Sequence, residues 1–345
     1  MANSFWRATC IQMRSNPAWK AQDQEAAWAI IDGNIDRALA LIDQSCAQSE
    51  RPALVVVPEF AFQGPPLSTP VSDWIERACT TIPGPITDRL SDAARRNFVY
   101  IAANHFEFDE HWPGHCFNTS FVLDPRGEVI LRYRRTNTAS WTSPHDIMES
   151  YVEVHGMDAI FPVVDTELGR LAVFPCGEIV VPEIARMFML RGAEVLLHPT
   201  NEPITAHGEA AKICRAAENM CYLVSANVAG AIGFSSDGSV TGGHSQIVDH
   251  LGNRIAHDPS ADEGIGVTAT VDLAALRAAR RSTGMGNPLM RARWELYRES
   301  YNEAEAYPAN GLAGRTFESI ADLQPLAERA LDNLERSEVL RRPLA

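Results

Sequence analysis

Leu171-Ala172-Val173-Phe174-Pro175-Cys176-Gly177-Glu178 is a short apolar run that stops abruptly at a cysteine. Five apolar residues bounded by a turn read as a buried strand. Pro182 then opens a segment with Ile184, Met187, Phe188 and Leu190 at helical spacing, and Gly192 is a natural stop before the next apolar run, Val195-Leu196-Leu197. Strand, tight turn, helix and strand is the grammar of an α/β layer. Working toward the carboxyl end, a helix over 207–220 and a strand over 222–226 repeat the alternation. A hairpin about Gly252 (245–249 with 253–256) and a strand over 266–271 follow. Helices are expected over 273–281 and 288–304, and an amphipathic one over 323–334.

Toward the amino end the pattern recurs. Ala53-Leu54-Val55-Val56-Val57-Pro58 is a continuous apolar strand that ends at a carboxylate, Glu59. A helix over 87–96 follows the breaker Pro83-Gly84-Pro85, and a strand over 98–103 follows the helix. Strands over 117–123 and 129–133 flank the turn cluster Asp124-Pro125-Arg126-Gly127-Glu128, and the second runs into Arg134-Arg135. The stretch 136–157 is polar with weak periodicity. The expectation is a layered α/β sandwich forming one domain over 1–306, with a helical arm over 307–345 that could lie at an oligomer interface.

Of 345 residues, 46% are hydrophobic and 21% charged, the balance of a globular enzyme with a large core. The formal net charge of −14 argues against a nucleic-acid partner, which needs a basic footprint. The amino end shows no basic segment followed by an apolar stretch, and no apolar run is long enough to span a bilayer, so a cytoplasmic protein acting on small molecules is expected. The seven cysteines, at 10, 46, 79, 116, 176, 214 and 221, show neither CxxC spacing nor clustering with histidine. Neither a disulfide framework nor a metal site is expected, and no cofactor is called for.

Cys176 differs from the other six in its context. A strand-turn-helix junction lifts a side chain out of a sheet, and N–H groups at the start of the following helix, especially that of Gly177, can face a developing negative charge. Glu59, also at a strand end, is a candidate base, with Phe60 and Phe62 beside it to desolvate the carboxyl and raise its pKa. Thiol, base and anion donors together are what acyl transfer through a thioester requires.

With these residues in hand, the chain resembles the nitrilase, or carbon-nitrogen hydrolase, superfamily. Val55-Val56-Val57-Pro58-Glu59, Tyr133-Arg134-Arg135, and Cys176 with Pro182-Glu183 downstream are similar to the family's three blocks in order. Gly192-Ala193-Glu194, His198-Pro199, Arg215-Ala216-Ala217-Glu218-Asn219 and Ser245-Gln246-Ile247-Val248-Asp249 extend the resemblance over about 5–300. It implies a four-layer αββα sandwich, a homodimer or higher homo-oligomer, and a Glu-Lys-Cys triad with a second glutamate nearby. Glu59 and Cys176 carry over as base and nucleophile. Glu149 fits the second glutamate, with Glu153 as its rival.

Two departures stand out. The lysine position holds Arg135, and the only lysines in the chain are Lys20 and Lys212. An arginine keeps the positive charge and the donors, but its planar head is bulkier and does not give up a proton near neutral pH. Cys176-Gly177-Glu178 joins a nitrilase-like glutamate to a glycine, whereas Pro182-Glu183 is more similar to the amidase branch. Glu178 could pair with Arg135 or Arg134, and Arg135 could instead be a structural partner of Glu149. Trp141, His145, His198, Asn201 and Glu202 are candidate pocket residues, as are Phe62 and Glu178. The reading favoured is hydrolysis of a small amide or carbamoyl substrate, releasing ammonia or an amine. Its rivals are nitrile hydrolysis or hydration, acyl transfer, and a non-catalytic binding protein that has lost the lysine.

Overall fold

The computed structural model describes residues 4–138, 140–235 and 237–341; the outermost residues of the expected domain and arm lie outside them. Twelve strands form two six-stranded sheets among the described residues. They are β1 (Phe5–Gln12), β2 (Leu54–Val56), β3 (Tyr100–Phe108), β4 (Cys116–Leu123), β5 (Val129–Arg134), β6 (Val164–Thr166), β7 (Gly169–Val173), β8 (Val195–Thr200), β9 (Tyr222–Asn227), β10 (Gln246–Val248), β11 (Arg254–His257) and β12 (Gly264–Asp272). The first sheet runs β12-β1-β2-β3-β4-β5 and the second β11-β10-β9-β8-β7-β6.

Period-two alternation sorts the side chains between layers. Ala8, Cys10, Leu54, Val56, Tyr100, Ala102, Leu131 and Tyr133 of the first sheet pack against the second sheet's Leu171, Val173, Val195 and Leu197. Their strand neighbours Val55, Val57, Ile101 and Phe121 face outward. There they are covered by α1 (Gln24–Cys46), α2 (Val71–Ala78) and α3 (Pro85–Asn97), through Ile31, Ile35, Trp74 and Leu90. On the far side α5 (Pro182–Leu190) and α6 (Ala206–Asn219) cover the second sheet with Ile184, Phe188, Ala211 and Ala216. Between these lies the short α4 (Met148–His155). Helix, sheet, sheet, helix is the four-layer αββα sandwich that the family resemblance implies. Each fully buried aliphatic or aromatic side chain in these layers contributes about 1.5–3 kcal/mol.

After β12 come α7 (Leu273–Arg281), α8 (Glu295–Glu303) and α9 (Gln324–Arg336). The helix expected over 288–304 begins only at Glu295; before it the Asn287 side chain caps a short turn, accepting from Leu289 N and Met290 N. The tail past residue 306 packs in part on its own chain. Leu312, Phe317, Leu323 and Leu326 are buried in the core under the first sheet's helices, and Asn310 N and Leu312 N donate to His145 O and Asp146 O. No helix among the described residues is long and apolar enough to cross a membrane.

The topology decides where polar residues gather. β1, β2 and β3 are mutually parallel, as are β7, β8 and β9, while β5 returns parallel to β3 through two antiparallel pairings. Glu59 follows β2, Arg135 follows β5, Cys176 follows β7 and Asn201-Glu202 follow β8. Four carboxyl ends of strands therefore meet in one crevice between the sheets, the usual place for a site in α/β architecture.

Candidate active site

Cys176 sits at the first position of a 3-10 turn, Cys176–Val180, with φ of 44°. A non-glycine residue in the left-handed region costs about 1–2 kcal/mol and persists where surrounding structure imposes it. His198 supplies part of that support: its Nε2 donates to Cys176 O at 2.9 Å while Nδ1 accepts from Ser225 Oγ at 2.8 Å. Burial pushes the His198 pKa down to about 4, with Lys212 and Arg135 adding to the shift, so the ring is neutral and holds one tautomer. The expected pocket residue is thus a strut beneath the nucleophile.

Glu59 is fully buried. Its Oε1 accepts from Asn118 Nδ2 at 2.8 Å and faces Arg135 Nη1 at 3.4 Å. Asn118 is aimed in turn by Asn104, whose Nδ2 donates to Asn118 Oδ1 at 2.6 Å and to Ser120 Oγ at 3.1 Å. Among the described residues the buried Glu59 Oε2 meets no nitrogen or oxygen partner, and the Cys176 thiol is the carboxyl's neighbour. Burial pushes the Glu59 pKa up to about 7 against the pull of Arg135 and Asn118, and the nearby Glu202 adds to the rise. Burial also pushes the Cys176 thiol well above its ordinary value, reinforced by Glu59 and Glu202 and opposed by Arg135 and the Asn201 N–H. The resting state is therefore a neutral thiol beside a carboxyl poised near neutrality, rather than a preformed thiolate.

Arg135 enters from the end of β5. Its Nε donates to Asn137 O at 3.0 Å and Nη1 points at Glu59, while Nη2 has no acceptor among the described residues. Gly177 lies beneath that nitrogen. Neither of the two carboxylates suggested for Arg135 takes it. Glu178 is buried and accepts through Oε1 from Tyr133 Oη at 2.9 Å, Thr136 N at 2.9 Å and Asn137 N at 2.8 Å, so it fastens the loop after β5 to the nucleophile turn. Arg134 turns to the opposite face of the sheet and binds Glu107 and Asp109.

Asn201 and Glu202 close the crevice from β8. Asn201 Nδ2 donates to Glu59 O at 3.3 Å and its Oδ1 accepts from Gly233 N at 2.7 Å. Glu202 is held by Lys212 Nζ at 2.9 Å, and Lys212 also meets Glu209 at 3.0 Å. Burial alone would depress Lys212, but its two carboxylates outweigh this and keep it charged. An aromatic group stands beside Glu59: Phe60 meets Trp141 and Phe234 edge-on at 5.7 Å each, and Trp141 stacks on Phe234 at 6.1 Å.

Four residues named from the sequence lie elsewhere. Glu149 is exposed near the start of α4, where its N–H and Oε1 bond to Asn310 of the tail, and Glu153 is exposed on the same helix. Glu202 is near enough to act electrostatically on both Cys176 and Glu59. His145 is half-buried under the tail, against Tyr307. Phe62 is fully buried among the first sheet's covering helices. Asn118, Asn104, Lys212 and Phe234 belong to the site or its support without having been expected. A sequence signal existed for the first two, since each is an amide within a fully buried stretch of strand.

The chain belongs to the carbon-nitrogen hydrolase family, which it matches over residues 7–281. Within that class it is 31% identical over 207 residues to a formamidase from Bacillus thuringiensis (strain Al Hakam). The match covers 59% of this chain and 58% of that relative, so it spans well under two thirds of the relative's length. Among solved structures, the NitFhit protein of C. elegans superposes with a TM-score of 0.64 at 24% identity, covering 86% of this chain and 67% of that one. A carbon-nitrogen hydrolase from Helicobacter pylori G27 gives 0.63 at 21%, covering 86% and 98%. An amidase from Nesterenkonia sp. gives 0.60 at 20%, covering 87% and 98%. At these identities the structures bear on the fold alone.

Proposed function

We propose that this chain hydrolyses the C–N bond of a small amide through a thioester on Cys176. The observation that carries the reading is the contact of three groups: a thiol on a strained turn, a buried carboxyl with a pKa of about 7, and a guanidinium with an uncommitted N–H edge. Glu59 takes the thiol proton as sulfur attacks the carbonyl carbon. Arg135 Nη2 and the Gly177 N–H stabilise the tetrahedral oxyanion. As the C–N bond breaks, Glu59 returns the proton to the departing nitrogen and ammonia leaves. Water, deprotonated by Glu59, then attacks the thioester, and the acid departs with the thiol restored.

Glu202, rather than Glu149, is the second carboxylate in this scheme. Positioned by Lys212, it can accept from the amide N–H₂ and hold the leaving nitrogen near Glu59. The nucleophile residue is only 9% exposed and Glu59 is fully buried, which favours a short acyl group. The similarity to a formamidase points the same way. The test is ammonia release from formamide, acetamide, propionamide, short carbamoyl compounds and the matching nitriles. Release from the shortest amides that disappears in Cys176→Ala supports the reading. Release from nitriles alone, or product formed only with an added amine acceptor, would replace it with one of its rivals.

A further inference from the structure

Gly177 has no backbone reason to be glycine. Its φ lies outside the left-handed region, unlike that of its neighbour Cys176. A methyl group at this position would stand 2.9 Å from Arg135 Nη2 and meet no other atom within 4 Å beyond its chain neighbours. Comfortable contact between such atoms needs about 3.5 Å. The guanidinium cannot simply swing aside, because Nε is bonded to Asn137 O and Nη1 is directed at Glu59. Moving Nη2 by several tenths of an ångström breaks one of these contacts or lifts the head away from the thiol.

We propose that Gly177 is a positioning residue for Arg135: it has no side chain so that a guanidinium, rather than a smaller cation, can stand over the Cys176 turn against Glu59. Positions 135 and 177 then form one unit, in which the bulkier cation and the missing side chain compensate. A lysine at 135 ends in one nitrogen instead of a fork and leaves the space above residue 177 empty. The inference rests on the hydrolytic reading for its purpose, but its test does not depend on turnover.

Four proteins decide it: wild type, Gly177→Ala, Arg135→Lys and the double variant. The first readout is the pH dependence of Cys176 alkylation by iodoacetamide, followed by peptide mass so that exposed Cys214 is counted separately. The charged groups facing the thiol are Glu59, Glu202 and Arg135, with Glu178 and Lys212 beyond them. Of these only Arg135 touches the new methyl. In the Arg135 background, Gly177→Ala should move the alkylation midpoint upward, because the cation that favours ionisation is displaced. Where amide turnover is measurable it should fall roughly a hundredfold, the usual penalty for an ångström-scale misplacement. In the Arg135→Lys background the same substitution should leave the midpoint in place and cost less than about threefold, a coupling that only touching residues show.

Equal effects in both backgrounds would overturn the proposal. If Gly177→Ala fails to fold with Arg135 yet folds with Arg135→Lys, the coupling is shown directly. Failure to fold in both backgrounds counts against it. Coupling without any amide turnover would retain the pair and remove the hydrolytic reading. Turnover with additive effects would do the reverse.

Discussion

Arg134 closes β5 and Arg135 follows it, so two identical side chains leave one strand end toward opposite faces of the first sheet. Arg134 is saturated. Its Nε and Nη2 grip both oxygens of Glu107 at 2.8 Å, Asp109 takes another contact, and Phe117 stacks on the head at 4.4 Å. Burial pushes Glu107 up, yet Arg134 outweighs it and holds that carboxyl below its ordinary value. Arg135 instead meets its carboxylate once, at 3.4 Å, and leaves Glu59 at about 7. A buried cation that perfects its ion pair stabilises a fold. One that leaves the pair imperfect keeps a carboxyl able to move a proton and a donor edge for a ligand.

The contrast can be broken most forcefully at Arg134. Arg134→Ala strands Glu107 and Asp109 in the interior and should cost about 3–5 kcal/mol of stability, read from urea unfolding. A loss under about 1 kcal/mol would erase the structural half of the comparison. Arg135→Met should show the reverse signature. Amide turnover falls by about 10²–10³, as when one oxyanion donor is removed, while the unfolding midpoint moves little. The acid limb of its pH profile also shifts upward, since Arg135 lowers Glu59. An unchanged limb would mean that the two groups do not communicate.

A third test uses linkage. Glu59 in the folded protein binds its proton up to about pH 7, whereas an unfolded glutamate releases it near 4.5. The folded state therefore holds the extra proton in that window, and stability falls as pH rises from about 4.5 to 7. Glu59→Gln should remove the dependence: equal to wild type at pH 4, and more stable at pH 8 by as much as about 3 kcal/mol. The smallest expected effect is at Asn118. Asn118→Ala removes a donor to ionised Glu59, and the acid limb should rise by up to about one pH unit with little change at pH 9. A uniform loss at every pH would assign Asn118 to packing instead.

How much of this was legible in the sequence follows from what each residue depends on. Glu59 and Cys176 stand where an apolar run ends in a polar residue, and that break is visible in one dimension. The hairpin of β4 and β5 carried its own turn cluster, and Arg135 came with it. Glu149 was not legible, because α4 takes its facing from the tail packed on it, a contact made by residues some 160 positions away. Glu202 reaches the site only because β8 lies parallel beside β7, and Lys212 holds it from the next helix. Sheet register, not local pattern, supplied that second carboxylate. The late start of α8 was hidden for a different reason: Asn287 caps a turn that does not run on into the helix, and apolar spacing does not mark that break.

The measurement that tests the central claim most directly is intact-protein mass on rapid acid quench after mixing with a short amide, in wild type and Cys176→Ala. The account predicts an acyl group on wild-type protein, mapped to Cys176, that decays as acid appears and is absent from the variant. Amide hydrolysis proceeding at the wild-type rate in Cys176→Ala would contradict it.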